Sequence, residues 1–520
     1  MERRTFFSAM LGGMQRENVS NVEPLILEAG AEPYTKPLTL ADAYHLLRRV
    51  GFGPSHAQAV LYVGRTAADV VDELLGSASE PDPESPGPWI DAWTEDPEGA
   101  DLQTRFAILR QWDKNMATFS KWRMQLMSAD PTAIEKVTLF WSGHWTSEYE
   151  FDNTNMVPQM LYRQYLMLRK NRLGNLRTLA LEVALDAAML YYLGGTFNTV
   201  GTANENYARE QMELFLTGIG WYTEGDVKEA ARVLTGWRSQ LFSDAPAPNG
   251  KYTTWFDAAA HDTGAKQFMG ISIPARTPDN NTAFQVRQEE VLRVIEIIHS
   301  ARPEAVSKFI AAKVYKYFVY SSPTSVDPGF IDQVSEIFRN SDFDLRVLFK
   351  TIFTSAHFFD PAIRGAQIKT PIEFVAGLER QLGVQSDTPH TWIAQMDQVM
   401  MDPPNVAGWP GYRTWISTNT YPVRRTYAAS LIKAMTDEQA MSFIEMFDNY
   451  SDVHELIPQI VAFMLPVDVS AERMTYYTNT LLQNAPDYDW PNIVATPSAA
   501  ASRLRNLLTT ISHAPDFQLS

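Results

Sequence analysis

The chain has 520 residues, 61 of them acidic and 44 basic, for a formal net charge of −17; that excess repels phosphate backbones and anionic lipid, so nucleic acid is excluded as an expected partner. A hydrophobic share of 45% with 13 Trp, 21 Tyr and 27 Phe belongs to an aromatic-rich globular protein long enough for two packed lobes. With no Cys, disulfides, thiolate nucleophiles and Cys-held zinc or iron–sulfur centres are excluded, and any metal must take His, carboxylate or carbonyl ligands.

The tail of residues 1–35 opens on Met1-Glu-Arg3-Arg4-Thr-Phe-Phe, which resembles a twin-arginine export motif and implies the periplasm or cell envelope. The apolar run behind it breaks off at Gln15, short for a cleavable leader, so this segment is expected to stay attached. No run of about 18 apolar residues follows anywhere, so no membrane-spanning helix is expected.

Helix punctuation dominates from residue 36 onward. Thr39 with Asp42, Ser55 with Gln58, Thr66 with Asp69 and Thr223 with Asp226 have capping-box spacing before apolar-periodic runs. Asp130-Pro131 and Thr370-Pro371 pair an N-cap with Pro at the first helical position, and Gly51, Gly76, Gly218 and Gly236 sit where helices stop. The pattern predicts a mainly α, multi-helix protein with helices over 40–50, 67–75, 101–128, 131–143, 158–171, 176–193, 204–217, 224–235, 284–299, 303–319, 328–339, 344–354 and 371–382, and several after 425. Residues 36–430 read as the main helical domain and 431–520 as a helical segment packed on it. Long loops interrupt it at 77–100 (Pro-rich and acidic), at 239–282, where residues 252–256 and 268–273 suit a small hairpin, and at 385–424, an aromatic loop.

The most informative stretch lies between Ala203 and Trp237. On a helical wheel Glu205, Asn206, Arg209, Glu210, Glu213 and Thr217 fall in one arc, opposite Tyr207, Ala208, Met212, Leu214 and Phe215. Closely spaced carboxylates attract cations and shift one another's pKa, so this face suits metal binding or acid/base work; it equally suits a buried structural network of ion pairs. Glu182 and Asp186, one turn apart on the preceding helix, are expected to pair with Arg across a helix interface or to add ligands opposite Glu210.

This stretch resembles the signature of the bacterial family catalogued as domain of unknown function 1800. The match extends to His45-Leu-Leu-Arg-Arg-Val-Gly-Phe-Gly, Leu139-Phe-Trp-Ser-Gly-His144-Trp, Ala188-Met-Leu-Tyr-Tyr-Leu, His261-Asp-Thr-Gly-Ala-Lys266, Asp402-Pro-Pro-Asn-Val-Ala-Gly-Trp-Pro-Gly411 and the closing Ala514-Pro-Asp-Phe-Gln. The resemblance carries no activity over to this chain. It does imply a sulfatase-like partner protein, since relatives are often encoded beside one. Two departures stand out: Trp141-Ser-Gly-His-Trp145 where the family has Trp-His-Asn-His-Phe, and Gly194-Gly195 where it has Asp after Tyr-Leu.

Other candidates carry two readings each. His144 falls on an apolar arc with Ile134, Val137 and Trp141, as a hydrogen-bonded core residue or as a proton-transfer group. His261-Asp262 sits in a turn, either closing it or supplying a metal ligand and an oriented base. Trp409 with Arg413 either stacks on a sugar or peptide and holds an anion, or pins its loop to the core. Arg48 and Arg49 favour the C-terminal dipole of their helix or neutralise the Glu cluster. The phosphate loop, the nucleophile elbow, the His-Glu-x-x-His helix and the Glu-x-x-His pair of di-iron bundles are all missing from the sequence. The expectation is a hydrolase with catalytic groups among Glu205, Arg209, Glu210, Glu213, His144, His261 and Asp262, a divalent cation on Glu210, Glu213 and His261, and Trp409 and Arg413 at the substrate. The alternative is a non-catalytic binding or assembly protein that meets the sulfatase-like partner or itself.

Overall fold

The computed structural model describes residues 27, 29–77, 79–151, 154–242, 251–322 and 327–520. Arg3 and Arg4, and with them the export motif, lie outside the described residues. The protein is 61% helical, well above the roughly one-third average of soluble domains, and among the described residues strands form three two-stranded antiparallel ribbons. Buried hydrophobic side chains from Leu38 through Phe517 make one continuous cluster. No described helix is long and apolar enough to cross a membrane.

Several sequence signals act as read. Thr39 with Asp42 and Thr223 with Asp226 close reciprocal capping boxes on the helices Leu40–Val50 and Glu224–Val233, and Thr370 caps Pro371–Leu382 ahead of Pro371, with Glu373 completing a box the sequence reading did not include. Each satisfies N–H groups that the first turn cannot bond internally. Thr66 caps Ala67–Leu75 through Asp69 N–H.

Other signals are overridden by neighbours. Ser55 makes no side-chain cap on His56–Tyr62, because Gln58 instead donates to Tyr62 Oη and the Pro131 carbonyl. Asp130-Pro131 does not start a helix; Asp130 accepts from Thr132 N and Glu135 N in a turn, and the helix runs over Ile134–His144. The helix read over 176–193 is two, Leu176–Ala184 and Ala187–Tyr192, because Asp186 caps the second by accepting from Met189 N at 2.9 Å. Asp186 is therefore a cap, whereas Glu182 pairs with Arg287 at 2.6 Å across a helix interface.

The expected hairpin divides between two ribbons. Thr254–Phe256 pairs with Trp237–Ser239, and Lys266–Phe268 pairs with Ile271–Ile273. Met269 and Gly270 both have positive φ, 48° and 79°, and a two-residue turn of that kind matches strand twist and closes a hairpin locally.

Four segments converge on the region that matters most. The helix Pro303–Phe318 packs against Pro328–Asn340 and against residues Gln211–Leu216. The helix Ile134–His144 brings His144 to the same place. Residues 367–370 reach it as a short extended run bridged to Leu519 and lead into Pro371–Leu382. Finally the 405–411 loop closes over it: Thr146 Oγ1 donates to the Val406 carbonyl at 2.6 Å, and Gly408, at φ +83°, leaves no room for a Cβ, which would meet the Gly143 carbonyl at 2.7 Å.

Candidate functional site

The signature helix does not stay α-helical. It runs as α over Glu205–Glu210 and as a π-helix over Gln211–Leu216, where Thr217 N bonds to the Met212 carbonyl five residues back at 2.8 Å. Widened turns of this kind disturb the regular ladder and free carbonyls for side-chain partners. Here the Phe215 carbonyl receives His144 Nε2 at 2.9 Å. Since a carbonyl only accepts, Nε2 carries the proton and Nδ1 presents a lone pair. Burial, aided by nearby Lys313, lowers the His144 pKa to about 3, so the ring is neutral. Its Nδ1 is buried without a hydrogen-bond partner among the described residues.

His144 lines a cavity of about 250 Å³ together with Lys313, Lys316, Tyr317, Gln367, Trp409, Tyr412 and Trp415, and no Asp or Glu is among the lining residues. Lys313 and Lys316, one turn apart, form no ion pair among the described residues. Burial and the like charge of Lys316 lower the Lys313 pKa. Among the described residues three further buried polar atoms of the lining lack partners, Tyr317 Oη, Ser321 Oγ and Gln367 Oε1; Gln367 is oriented by its amide, which donates to the Tyr317 carbonyl at 2.8 Å. Burial and Glu373 hold the Tyr317 phenol well above its usual range, so it stays a neutral hydroxyl. Thr370 and Gln398 also line the cavity, but they already accept the first N–H groups of Pro371–Leu382, so that helix end contributes its dipole and no free donors. Buried polar groups are costly when unpaired, and the cavity gathers four that lack a partner among the described residues beside two lysines outside any ion pair there.

Trp409 thus meets His144 in one cavity. Arg413 is exposed, with its guanidinium over the Tyr412 ring at 5.3 Å, and is not part of the lining.

The carboxylate face of the signature helix is organised separately. Arg209 makes two 2.7 Å bonds to Glu224 and lies 3.6 Å from Glu205. Glu213 accepts a short hydrogen bond from the Tyr222 hydroxyl. Glu210 is half-buried, and its pKa is raised to about 7 by burial and then by Glu213, with Arg209 opposing. Neither His144 nor His261 joins this group. His261 packs 3.4 Å from Glu290, which also takes Lys266 at 2.7 Å and Arg276 at 2.8 Å; the other ring nitrogen faces the Thr235 carbonyl at 2.8 Å. Asp262 is held by Arg232 at 2.8 Å, and Arg232 also takes Glu229. Among the described residues no three His, Cys, Asp or Glu side chains gather to hold a metal ion. Arg48 and Arg49 turn away from the Glu face: Arg48 donates to the Ala462 and Phe463 carbonyls, and Arg49 to those of Ser520 and Val319.

Lys313, Lys316, Tyr317 and Gln367 escaped the sequence reading. A signal for the first three exists: Pro303–Phe318 carries its only acid, Glu304, in the first turn, and Lys313, Lys316, Tyr317 and Tyr320 follow at helical spacing on one face. In an acidic chain, cations without nearby acids are out of place.

The fold is mainly helical, and this cavity is lined by two lysines and no carboxylate. The family model described as Protein of unknown function (DUF1800) matches residues 45–519, and the chain belongs to that family. No curated protein and no solved structure matches it.

Proposed function

We propose that this protein binds a small anionic molecule in the cavity between His144 and Trp409, with Lys316 neutralising its charge, Lys313 presenting its amine beside it, and Trp409, Tyr412 and Trp415 covering its apolar surface. The observation that carries this reading is the lining itself: two lysines, no carboxylate and four unpartnered buried polar atoms. Charge-assisted bonds to such a ligand contribute about 1.5–3 kcal/mol each, and aromatic faces supply area and orientation. The neutral His144 acts as a hydrogen-bond acceptor through Nδ1; at a pKa of about 3 it is too weak a base to serve as a general base near neutrality.

A hydrolase centred on the carboxylate face has one observation in its favour, the Glu210 carboxyl poised at about 7. Its neighbour Glu213 is already engaged by Tyr222 and no imidazole stands beside it, so ligand binding in the cavity is the better-supported reading.

The test is calorimetry and thermal shift with acetate, lactate, sulfate, phosphate and hexuronates against neutral sugars of the same size. Lys316→Met and Trp409→Ala are expected to remove binding, and Glu210→Gln to leave it. Equal response to charged and neutral ligands, or none to either, overturns the proposal.

A further inference from the structure

Within the cavity the two lysines are not equivalent. Lys313 stands against apolar cover: its ammonium sits 5.2 Å from the Phe309 ring centroid, and it is near enough to His144 that a positive charge on it opposes protonation of the ring. Apolar cover on one side and a second cation one turn along the same helix are the surroundings that favour a neutral, nucleophilic amine. Among the described residues no carboxylate pairs with Lys313 to hold its proton, and burial with the Lys316 charge lowers its pKa. Lys316 remains to bind an anion, and the His144 lone pair and the Tyr317 hydroxyl are unpartnered.

Resting on the anion-site reading above, we propose that the ligand is an oxo acid and that Lys313 Nζ forms an imine with its carbonyl carbon while Lys316 holds its carboxylate. The neutral amine attacks the carbonyl carbon, forming the C–N bond as the C–O π pair moves to oxygen, which gains a proton. The carbinolamine then loses its hydroxyl with one further proton as water, leaving a C=N bond to Nζ. The sum is amine plus carbonyl giving imine plus water, with no oxidant or reductant. The Tyr317 hydroxyl in the same lining hydrogen-bonds the carbonyl oxygen, the protons lost from Nζ are exchanged with water, and the neutral His144 Nδ1 accepts a hydrogen bond from the carbinolamine hydroxyl without taking its proton.

The experiment uses the full chain with pyruvate, reduced by borohydride, followed by intact mass and peptide mapping, with lactate binding measured in parallel. A stable adduct on Lys313 is expected. Lys313→Arg is expected to lose the adduct at least tenfold, Lys316→Met to weaken both adduct and lactate binding by roughly tenfold or more, and Glu210→Gln, outside the cavity lining, to leave both unchanged. Lactate binding without pyruvate trapping, trapping spread over surface lysines, or trapping that survives Lys313→Arg overturns the imine alone. Absence of binding by either acid overturns the anion site as well.

Discussion

His144 Nε2 donates to the Phe215 carbonyl at 2.9 Å across the junction of the Ile134–His144 helix and the π-helical turn Gln211–Leu216. This one bond ties the signature helix to the cavity, fixes the imidazole tautomer and aims Nδ1. Replacing His144 with Ala leaves a buried carbonyl unpaired, so a loss of about 1–3 kcal/mol is expected beyond the packing cost. His144→Gln, whose amide retains a donor, should recover part of it. Urea midpoints for the two variants check the order.

The pH dependence of stability has two opposed parts. His144 has its folded pKa lowered to about 3 against about 6.5 unfolded, so below that value the unfolded chain takes a proton the folded one refuses. Stability from this group is present above the unfolded pKa and is lost as pH falls through that window. Glu379, raised to about 7 by burial, acts in reverse: the folded state holds its proton from the unfolded value of about 4.3 upward, and stability falls as pH rises toward 7. Glu379→Gln keeps an acceptor for Tyr427 and Ser386. It is therefore expected to raise the urea midpoint at pH 7.5 and leave it nearly unchanged at pH 4.5.

Glu210→Gln separates the carboxylate face from the cavity. Because the Glu210 carboxyl is pushed up by burial and by Glu213, removing its charge should leave melting equal to or slightly above the parent at pH 8. The difference should vanish below pH 6, where the parent is protonated. A large destabilisation at pH 8 would show that the ionised Glu210 is held by a partner.

How much of this was legible in the sequence depends on how local each signal is. The helical class, the capping boxes of Thr39 and Thr223, the Thr370-Pro371 helix start and the family signature are written in neighbouring residues, and they act as read. The π-helical turn is not legible, since Gln211 to Leu216 have ordinary α-helical composition and the widening comes from tertiary packing. Asp186 was misplaced for a related reason: an acid in an apolar-periodic run serves equally as a helix face or a cap until the backbone on either side is fixed. The cavity unites residues near 144, 313, 367 and 409. No spacing rule links such distant segments, so of its lining only His144 and Trp409 were singled out.

Lys136 and Glu373 form a buried pair at 2.6 Å, with side chains 2% and 8% exposed. Lys136→Met strands a carboxylate in a low-dielectric interior and is expected to cost about 3–5 kcal/mol, whereas adding Glu373→Gln, which removes the stranded charge and keeps an acceptor for Thr370 N, should restore part of it. Chemical denaturation of the single and double variants measures the difference.

Gly408→Ala probes the closing loop. The added Cβ meets the Gly143 carbonyl at 2.7 Å, at a φ of +83°, a combination an L-residue rarely tolerates. The expected outcome is displacement of Trp409, seen as a shift in tryptophan emission, with lost ligand binding and a modest drop in melting temperature.

Gln367 and Ile368 line the cavity, and they are held there by residues near 520: Ser520 N donates to the Gln367 carbonyl at 2.8 Å, and Ile368 is bridged to Leu519. The Lys369 ammonium adds a 2.8 Å bond to the Phe517 carbonyl. During synthesis, therefore, the helix bearing His144 emerges hundreds of residues before the segment that braces the opposite wall. Contacts of such sequence separation form late, because the intervening chain must first be ordered. The cavity wall is therefore complete only once residues 517–520 are in place, and a ligand of this cavity is expected to stabilise the folded chain and not its earlier intermediates.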